Sequence, residues 1–189
     1  MDLIDAIKKR RSIKKFSKNK PDWRKIIRAI DAARYAPSAG NNFIMKFILV
    51  SDKDKIKELE KAAQQSFVGD AQYVVVAVSD DSKLVRLYKE RGTRYSSQQS
   101  GAAIENFLLA LTEFSLETTW IGYFYEEQVK RVLGIPEEKT VEAIFPIGLL
   151  AKGSKLEKRK KIDLENTLYF EKWENKLMTP RTKLPIDDS

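Results

Sequence analysis

The sequence predicts a single α+β domain, and three observations predict it. Four apolar runs of strand length, at residues 43–50, 73–78, 118–124 and 141–150, alternate with stretches whose apolar residues recur at helical spacing. No internal repeat or Gly/Ser linker divides the 189 residues, which at 42% hydrophobic suffice for one full core. The run Tyr73-Val74-Val75-Val76-Ala77-Val78 is apolar on both faces, as expected of a strand central in its sheet.

The elements follow in order. Asp2 is placed to cap a helix through about Arg10, with Leu3, Ile4 and Ile7 on one face. Residues 13–16 read as a short extended piece. Pro21-Asp22 opens a second helix, whose Trp23, Ile26, Ile27, Ile30 and Ala33 fall at helical spacing, mostly toward the core, until Pro37 stops it. After the strand at 43–50 comes a helix over about 53–63 with Ile56 and Leu59 inward, then the central strand. Residues 80–97 carry charge without a clean apolar stripe and read as a partly mobile helix or lid. The longest buried helix is expected from Ser97 to about Phe114, through Ala103, Ile104, Phe107, Leu108 and Leu111. A helix over 126–133, closed by Gly134 and Pro136, separates the last two strands. Beyond Lys152 the chain turns basic through Lys161. Leu164, Leu168, Tyr169, Phe170 and Trp173 then form an apolar end that either docks on another surface or finishes the monomer's own core.

Composition excludes several chemistries. The chain has no Cys and no His, which removes thiol and imidazole nucleophiles, zinc sites and disulfides. Chemistry must come from a cofactor or from Asp, Glu, Lys, Ser or Tyr. The absence of an 18-residue apolar run and of a signal-peptide pattern points to a soluble, cytoplasmic protein without a membrane partner. A net charge of +8 raises nucleic acid as a partner, but Lys and Glu are scattered along the chain and no reading motif is present, so none is expected. Neither G-x-x-x-x-G-K-[ST] nor G-x-G-x-x-G occurs, so a nicotinamide dinucleotide must bind without a Walker or Rossmann loop.

Two stretches carry the site. Lys9-Arg10-Arg11-Ser12-Ile13-Lys14-Lys15-Phe16 sets cations and a hydroxyl within a few residues, the donor set a phosphate monoester needs, or else a solvated basic surface. Ala36-Pro37-Ser38-Ala39-Gly40-Asn41 is a turn of small residues that lets backbone approach a flat ligand. With Gly101-Ala102-Ala103-Ile104-Glu105-Asn106-Phe107-Leu108-Leu109-Ala110 and Trp120-Ile121-Gly122, they resemble the FMN-dependent nitroreductase family in order and spacing, over about residues 2–173.

The resemblance implies a three-layer sandwich, a mostly antiparallel central sheet flanked by helices. Its single FMN-binding domain would cover 1–173 and its polar tail 174–189, with a C-terminal arm exchanged between the subunits of a homodimer. It places Arg10, Arg11 and Ser12 at the FMN phosphate, joined by Arg159 and Lys161 in a basic run of open register. Lys14 falls beside flavin N1, as the one catalytic side chain, or is a plain surface lysine. The resemblance assigns a backbone donor for flavin N5 to the turn Trp120, Ile121 and Gly122, with Trp120 either near the ring or in the core. Pro37, Ser38, Ala39 and Asn41 would meet the partner's flavin, and Gln64 or its neighbour Gln65 the pyrimidine edge.

The implied activity is an NAD(P)H oxidoreductase that takes hydride from NADH or NADPH and passes it, in ping-pong order, to a small electron-poor acceptor such as a nitroaromatic or quinone. A dehalogenase, a dehydrogenase or a non-catalytic FMN-binding protein on the same fold are the alternatives. This sequence departs from the family pattern at 42–47, where Asn42-Phe43-Ile44-Met45-Lys46-Phe47 replaces a Gln-Pro-Trp element, at Gln99 in place of an Asp, and at Ser115-Leu116-Glu117 in place of a Gly-Leu-Gly turn. These changes touch the acceptor side more than the cofactor side. Arg86, Arg91 and Arg94 are either solvated or within reach of a 2′-phosphate.

Overall fold

The computed structural model describes residues 1–154, 156 and 162–178. Its contacts fall into two units, Met1–Lys155 and Leu156–Ser189, each described by itself.

The first unit contains helices α1 (Leu3–Lys9), α2 (Trp23–Ala33), α3 (Lys53–Ala63), α4 (Ser82–Tyr88), α5 (Glu90–Glu113) and α6 (Glu126–Leu133), with strands β1 (Met45–Val50), β2 (Tyr73–Ser79), β3 (Glu117–Thr118) and β4 (Thr140–Gly148). The strands form one sheet in the order β1-β2-β4-β3, every neighbouring pair antiparallel. All seven residues of β2 are buried, as its apolar run predicts. Because successive side chains alternate across a sheet, Tyr73, Val75 and Ala77 join Ile26 and Ala29 of α2 and Phe107 and Leu111 of α5 in one core. Val74, Val76 and Val78 join Ile56 and Leu59 of α3 and Val129 of α6 in the other. The result is the predicted three-layer sandwich.

One register shift tunes the far end of the sheet. Ala77 pairs with Ala143 but Val78 pairs with Val141, so Glu142 is the extra residue of a β-bulge. The bulge sends Val141 to the α3/α6 face, and the Glu142 carboxylate accepts from Ser79 Oγ at 2.6 Å and Ser100 Oγ at 3.1 Å.

Local signals set α2, α3 and α6. The Asp22 carboxylate accepts from the Arg24 N–H, and the Asp52 carboxylate from the N–H groups of Asp54 and Lys55. Gly134 ends α6 at φ 66°, in the left-handed region where a Cβ is strained. Elsewhere the expectations shift. Leu3 and Ile4 stand 62% and 52% exposed, and Trp23 and Ile27 are also exposed, because α1 and α2 carry wider apolar faces than the core of one chain covers. The charged stretch 80–97, expected as a partly mobile helix or lid, is mostly helix: α4, a break at Lys89, and the first turns of a 24-residue α5. Gly92 explains this without an apolar stripe, since a Cβ there would stand 2.5 to 2.6 Å from backbone atoms of Leu84 and Val85. The two helices pack backbone to backbone at that point.

The strand expected over 118–124 is shorter. After β3, pairing resumes only at an Ile121–Ile144 bridge. That register puts Thr119 opposite Pro146, which has no N–H to donate. The ladder breaks there for that reason.

In the described residues of the second unit a 3-10 turn, Leu164–Asn166, precedes a Tyr169–Trp173 ring pair at 4.9 Å, and Asn175 Nδ2 donates to the Phe170 carbonyl at 2.8 Å. Among the described residues no helix is long and apolar enough to cross a membrane.

Candidate functional site

The basic stretch leaves α1 and is stitched to the open edge of the sheet. Ser12 bridges Thr118 in parallel, the Ile13 N–H donates to the Thr118 carbonyl at 2.9 Å, and Thr119 Oγ1 donates to the Ile13 carbonyl at 2.7 Å. Farther on, the Ser17 N–H donates to the Leu149 carbonyl at 2.8 Å, and the Phe16 ring lies over Gly148, where a Cβ would come within 2.8 Å of it. Ile13 is buried and Lys14 and Lys15 are both exposed, so the segment turns its two cations to solvent from a backbone held at Ile13 and Ser17.

The cations divide by role. Arg11 donates through its guanidinium to the carbonyls of Lys8 at 2.5 Å and Arg10 at 2.8 Å, closing the C-terminal end of α1. Arg10 differs, for its Nε is buried with no hydrogen-bond partner among the described residues, and the nearest described carboxylate, Glu105, stands 4.0 Å away. A buried guanidinium N–H without an acceptor is costly. An anion would satisfy it.

The same edge gathers the other predicted residues. Lys14 Nζ lies 5.4 Å from the centre of the Phe67 ring. Gln64 caps α3 in the left-handed conformation at φ 52°, and its Nε2 donates to the Tyr125 hydroxyl at 3.4 Å, whereas Gln65 turns back with its N–H toward the Glu60 carbonyl. Trp120 is 42% exposed, with its ring edge-on to Phe145 at 5.9 Å. The Ile121 side chain is buried and its N–H and C=O are both paired with Ile144 at 3.1 and 3.0 Å, so it presents no free group. Gly122 is exposed, its N–H makes no hydrogen bond to a described residue, and a Cβ there would meet only the Trp120 indole at 3.8 Å. That open flank with a free N–H is room for the edge of a flat ring.

The small-residue turn stands apart from this cluster. Pro37 and Asn41 are exposed and Ser38 and Ala39 half-buried; Gly40 and Asn41 both sit at φ 56°. A Cβ on Gly40 would fall 2.5 Å from the Tyr88 hydroxyl, which ties the turn to α4. Among the described residues no hydrogen bond joins the turn to Arg10, Lys14 or Gly122. Arg159 and Lys161 lie outside the described residues.

Four side chains here were not singled out from sequence as parts of the site: Phe67 under Lys14, Tyr125 on Gln64, Thr119 pinning Ile13, and Tyr88 against Gly40. Tyr125 and Phe67 had a signal, aromatics within three residues of Gly122 and Gln64. Beside the site, burial pushes the Glu117 carboxyl above its usual value of 4.5. At the foot of α4, hydrogen bonds from Lys139 and Ser82 hold Asp80 down to about 2.

The donor set fits a flavin mononucleotide on two observations of this structure: an orphaned guanidinium N–H beside the Ser12 hydroxyl stretch, and an open N–H-lined flank at Gly122. Comparison with known proteins agrees. Over 153 residues the chain is 28% identical to a protein of Methanothermobacter thermautotrophicus named for NADH dehydrogenase/NAD(P)H nitroreductase activity, covering 78% of this chain and 77% of that one. It is 25% identical to an iodotyrosine deiodinase of Thermotoga neapolitana, covering 77% and 87%. The structure of an NADPH:FMN oxidoreductase from Vibrio harveyi complexed with NAD+ superposes with a TM-score of 0.78 over 92% of this chain and 78% of that one, at 22% identity. The nitroreductase family model matches residues 7–149. The chain therefore belongs to the nitroreductase family, oxidoreductases that use FMN with NAD(P)H.

Proposed function

We propose that this protein is an FMN-dependent NAD(P)H oxidoreductase that delivers hydride to a small electron-poor acceptor, a nitroaromatic or quinone, in ping-pong order. The observation that carries it is the buried Arg10 Nε, without an acceptor among the described residues, at the end of α1 where the chain runs into the segment stitched to the sheet edge, together with an exposed Gly122 N–H that no described residue accepts. When bound, FMN supplies hydride acceptance from NAD(P)H and its return to the acceptor.

Arg10 and Ser12 hold the phosphate, and Arg159 and Lys161 are the further phosphate ligands that the family resemblance assigns. Arg11 shapes the approach by capping α1. Lys14, carried on a backbone fixed at Ile13 and Ser17, would hold a positive charge beside a bound flavin and so favour its reduction electrostatically. The Gly122 N–H, Trp120, and Gln64 steadied by Tyr125 are the groups that would hold and orient a bound flavin ring. Pro37, Ser38, Ala39 and Asn41 serve the second subunit of a homodimer, and the exposed Leu3, Ile4 and Ile27 are the apolar surface such a dimer buries. The domain runs to residue 173, with its apolar end as an arm between subunits and 174–189 as a polar tail. The protein works in the cytoplasm.

The likeness to an iodotyrosine deiodinase supports one second reading, reductive dehalogenation at the same site. Both are tested on the purified protein by its absorbance spectrum before and after anaerobic NADH or NADPH, with its mass in solution. A flavin spectrum that bleaches, in a dimer, bears the proposal out. A colourless monomer that FMN does not reconstitute overturns it, and turnover of a halophenol but no nitroarene favours the second reading.

A further inference from the structure

The stretch 80–97, expected as a partly mobile helix or lid, forms a helical corner between α4 and α5, and its charge has no use in the site described above. Lys83, Arg86, Lys89, Arg91 and Arg94 are all exposed, with Glu90 the single acid among residues 83–94. None of the five side chains makes an ion pair or hydrogen bond with a described residue. Lys61, Lys130, Lys139 and Arg34 each meet a carboxylate within 3.2 Å, while exposed cations such as Lys15, Lys55 and Lys57 meet none among the described residues; what sets these five apart is their clustering about one turn.

The corner is also placed. Tyr88, its last α4 residue, sets its hydroxyl against Gly40 in the turn 36–41, and its ring packs edge-on to Tyr95 of α5 at 5.3 Å. Between them Lys89 is held at φ 55°, ψ −131°, a conformation a glycine would adopt without strain. Gly92 locks the two helices together behind it. A strained lysine kept at a turn, flanked by unpaired arginines, marks a place where a cation is wanted.

We propose that this corner recognises an anionic group, a carboxylate or phosphate monoester, on the ligand that enters over the turn 36–41, and so sets the enzyme's preference among donors and acceptors. The inference rests on the flavin oxidoreductase reading. The same chemistry has two sources, the 2′-phosphate of NADPH or a carboxylate on the acceptor. Guanidinium groups suit both, since their paired N–H donors match two oxygens of either anion.

The test compares the whole FMN-loaded protein with R91E/R94E, and with K55E/K57E on α3, which changes net charge equally at a distance from the corner. KM is measured for NADPH and NADH, and for 4-nitrobenzoate and the neutral 4-nitrobenzamide, and the Kd of NADP+ and NAD+ by calorimetry. The expected result is a rise of about tenfold in R91E/R94E for one anionic ligand against its neutral or less charged counterpart, with flavin content unchanged and K55E/K57E like wild type. A rise confined to NADPH and NADP+ identifies the 2′-phosphate; one confined to 4-nitrobenzoate identifies the acceptor. Equal values for all ligand pairs, or the same rise in K55E/K57E, overturn the inference while a flavin that bleaches with NAD(P)H leaves the enzyme reading standing. A wild-type protein without flavin overturns both.

Discussion

The two stretches proposed to form the site are built differently. The stretch 10–17 is fastened at Ile13, Ser17 and Phe16 to the edge formed by Thr118, Thr119 and residues 148–150. The turn 36–41 hangs between α2 and β1, closed by its own bonds, the Asn41 N–H to the Ser38 carbonyl at 3.1 Å and Asn42 Nδ2 to the Gly40 carbonyl at 2.9 Å, and propped by Tyr88. One half is sheet edge and the other a free-standing turn. A group that must hold a phosphate against water needs the first kind of support. A loop that completes a site on another copy of the chain can be of the second kind.

If that contrast is functional, the two halves respond differently to mutation. The largest effect is expected at Arg10. Arg10→Ala removes a charge-assisted hydrogen bond to the phosphate, about 1.5 to 3 kcal/mol, so the FMN dissociation constant rises some ten- to 150-fold with little loss of stability. Titration of the apoprotein with FMN checks it; an unchanged constant means that the fastened half is not the phosphate cradle. Mixing Arg10→Ala subunits with Asn41→Ala subunits sharpens the comparison. A dimer whose sites draw on both chains regains about half of its flavin reduction, since one of its two sites is then intact, whereas sites confined to one chain stay impaired.

A smaller effect falls on the support itself. Gly148→Ala drives a Cβ into the Phe16 ring, and overpacking of this kind costs about 1 to 3 kcal/mol. Urea denaturation should show that loss together with weaker FMN binding, because the displaced segment carries Arg10 and Ser12. Gly40→Ala meets both a positive φ and the Tyr88 hydroxyl, yet Tyr88 is a side chain that can swing, so its cost is nearer 1 kcal/mol. It should lower turnover without raising the FMN dissociation constant of the separate monomer.

Much of this was legible in the sequence and some was not, for definable reasons. The bounds of α3 and α6 follow from Asp52, Gly134 and clean periodicity, and β2 from its unbroken apolar run. These are local signals. The early start of α5 depends on Gly92 meeting the backbone of α4, a contact that no periodicity encodes. The shortened β3 depends on Pro146 lying opposite Thr119, a register known only once β4 is paired. In the site, Arg10, Lys14 and Gly122 were readable as motif positions. The division of labour between Arg10 and Arg11, and the pairing of Ile121 into the ladder, required coordinates.

The corner at α4 is anchored by a further pair with a definite pH signature. Lys139 Nζ lies 2.7 Å from Asp80 Oδ2 and holds that carboxyl at about 2, below its usual 3.8. A carboxyl whose folded value is depressed stabilises fully above the unfolded value and loses that contribution as pH falls from about 4 to about 2. The Asp80 side chain is 37% exposed, so the contribution is a few tenths to about 1 kcal/mol. Thermal melts of wild type and Asp80→Asn should differ at pH 6 and converge near pH 2; a gap that persists there assigns the effect to packing.

The smallest effect is expected at Glu117, on the sheet edge that fastens the first half. Burial raises its carboxyl above the ordinary value, the opposite sign to Asp80, so the ionised form is the one the fold disfavours. The folded protein then binds the proton more tightly than the unfolded chain, and its stability falls as pH rises through that range. Glu117→Gln keeps the shape and removes the charge. It should stabilise the protein at pH 7 by less than about 1 kcal/mol, and the gain should disappear below pH 4, where the carboxyl is protonated in both states. A gain that is the same at both pH values would mean that the carboxylate is not disfavoured by burial, and the edge beside Ser12 and Gly148 would then be wetter than its packing indicates.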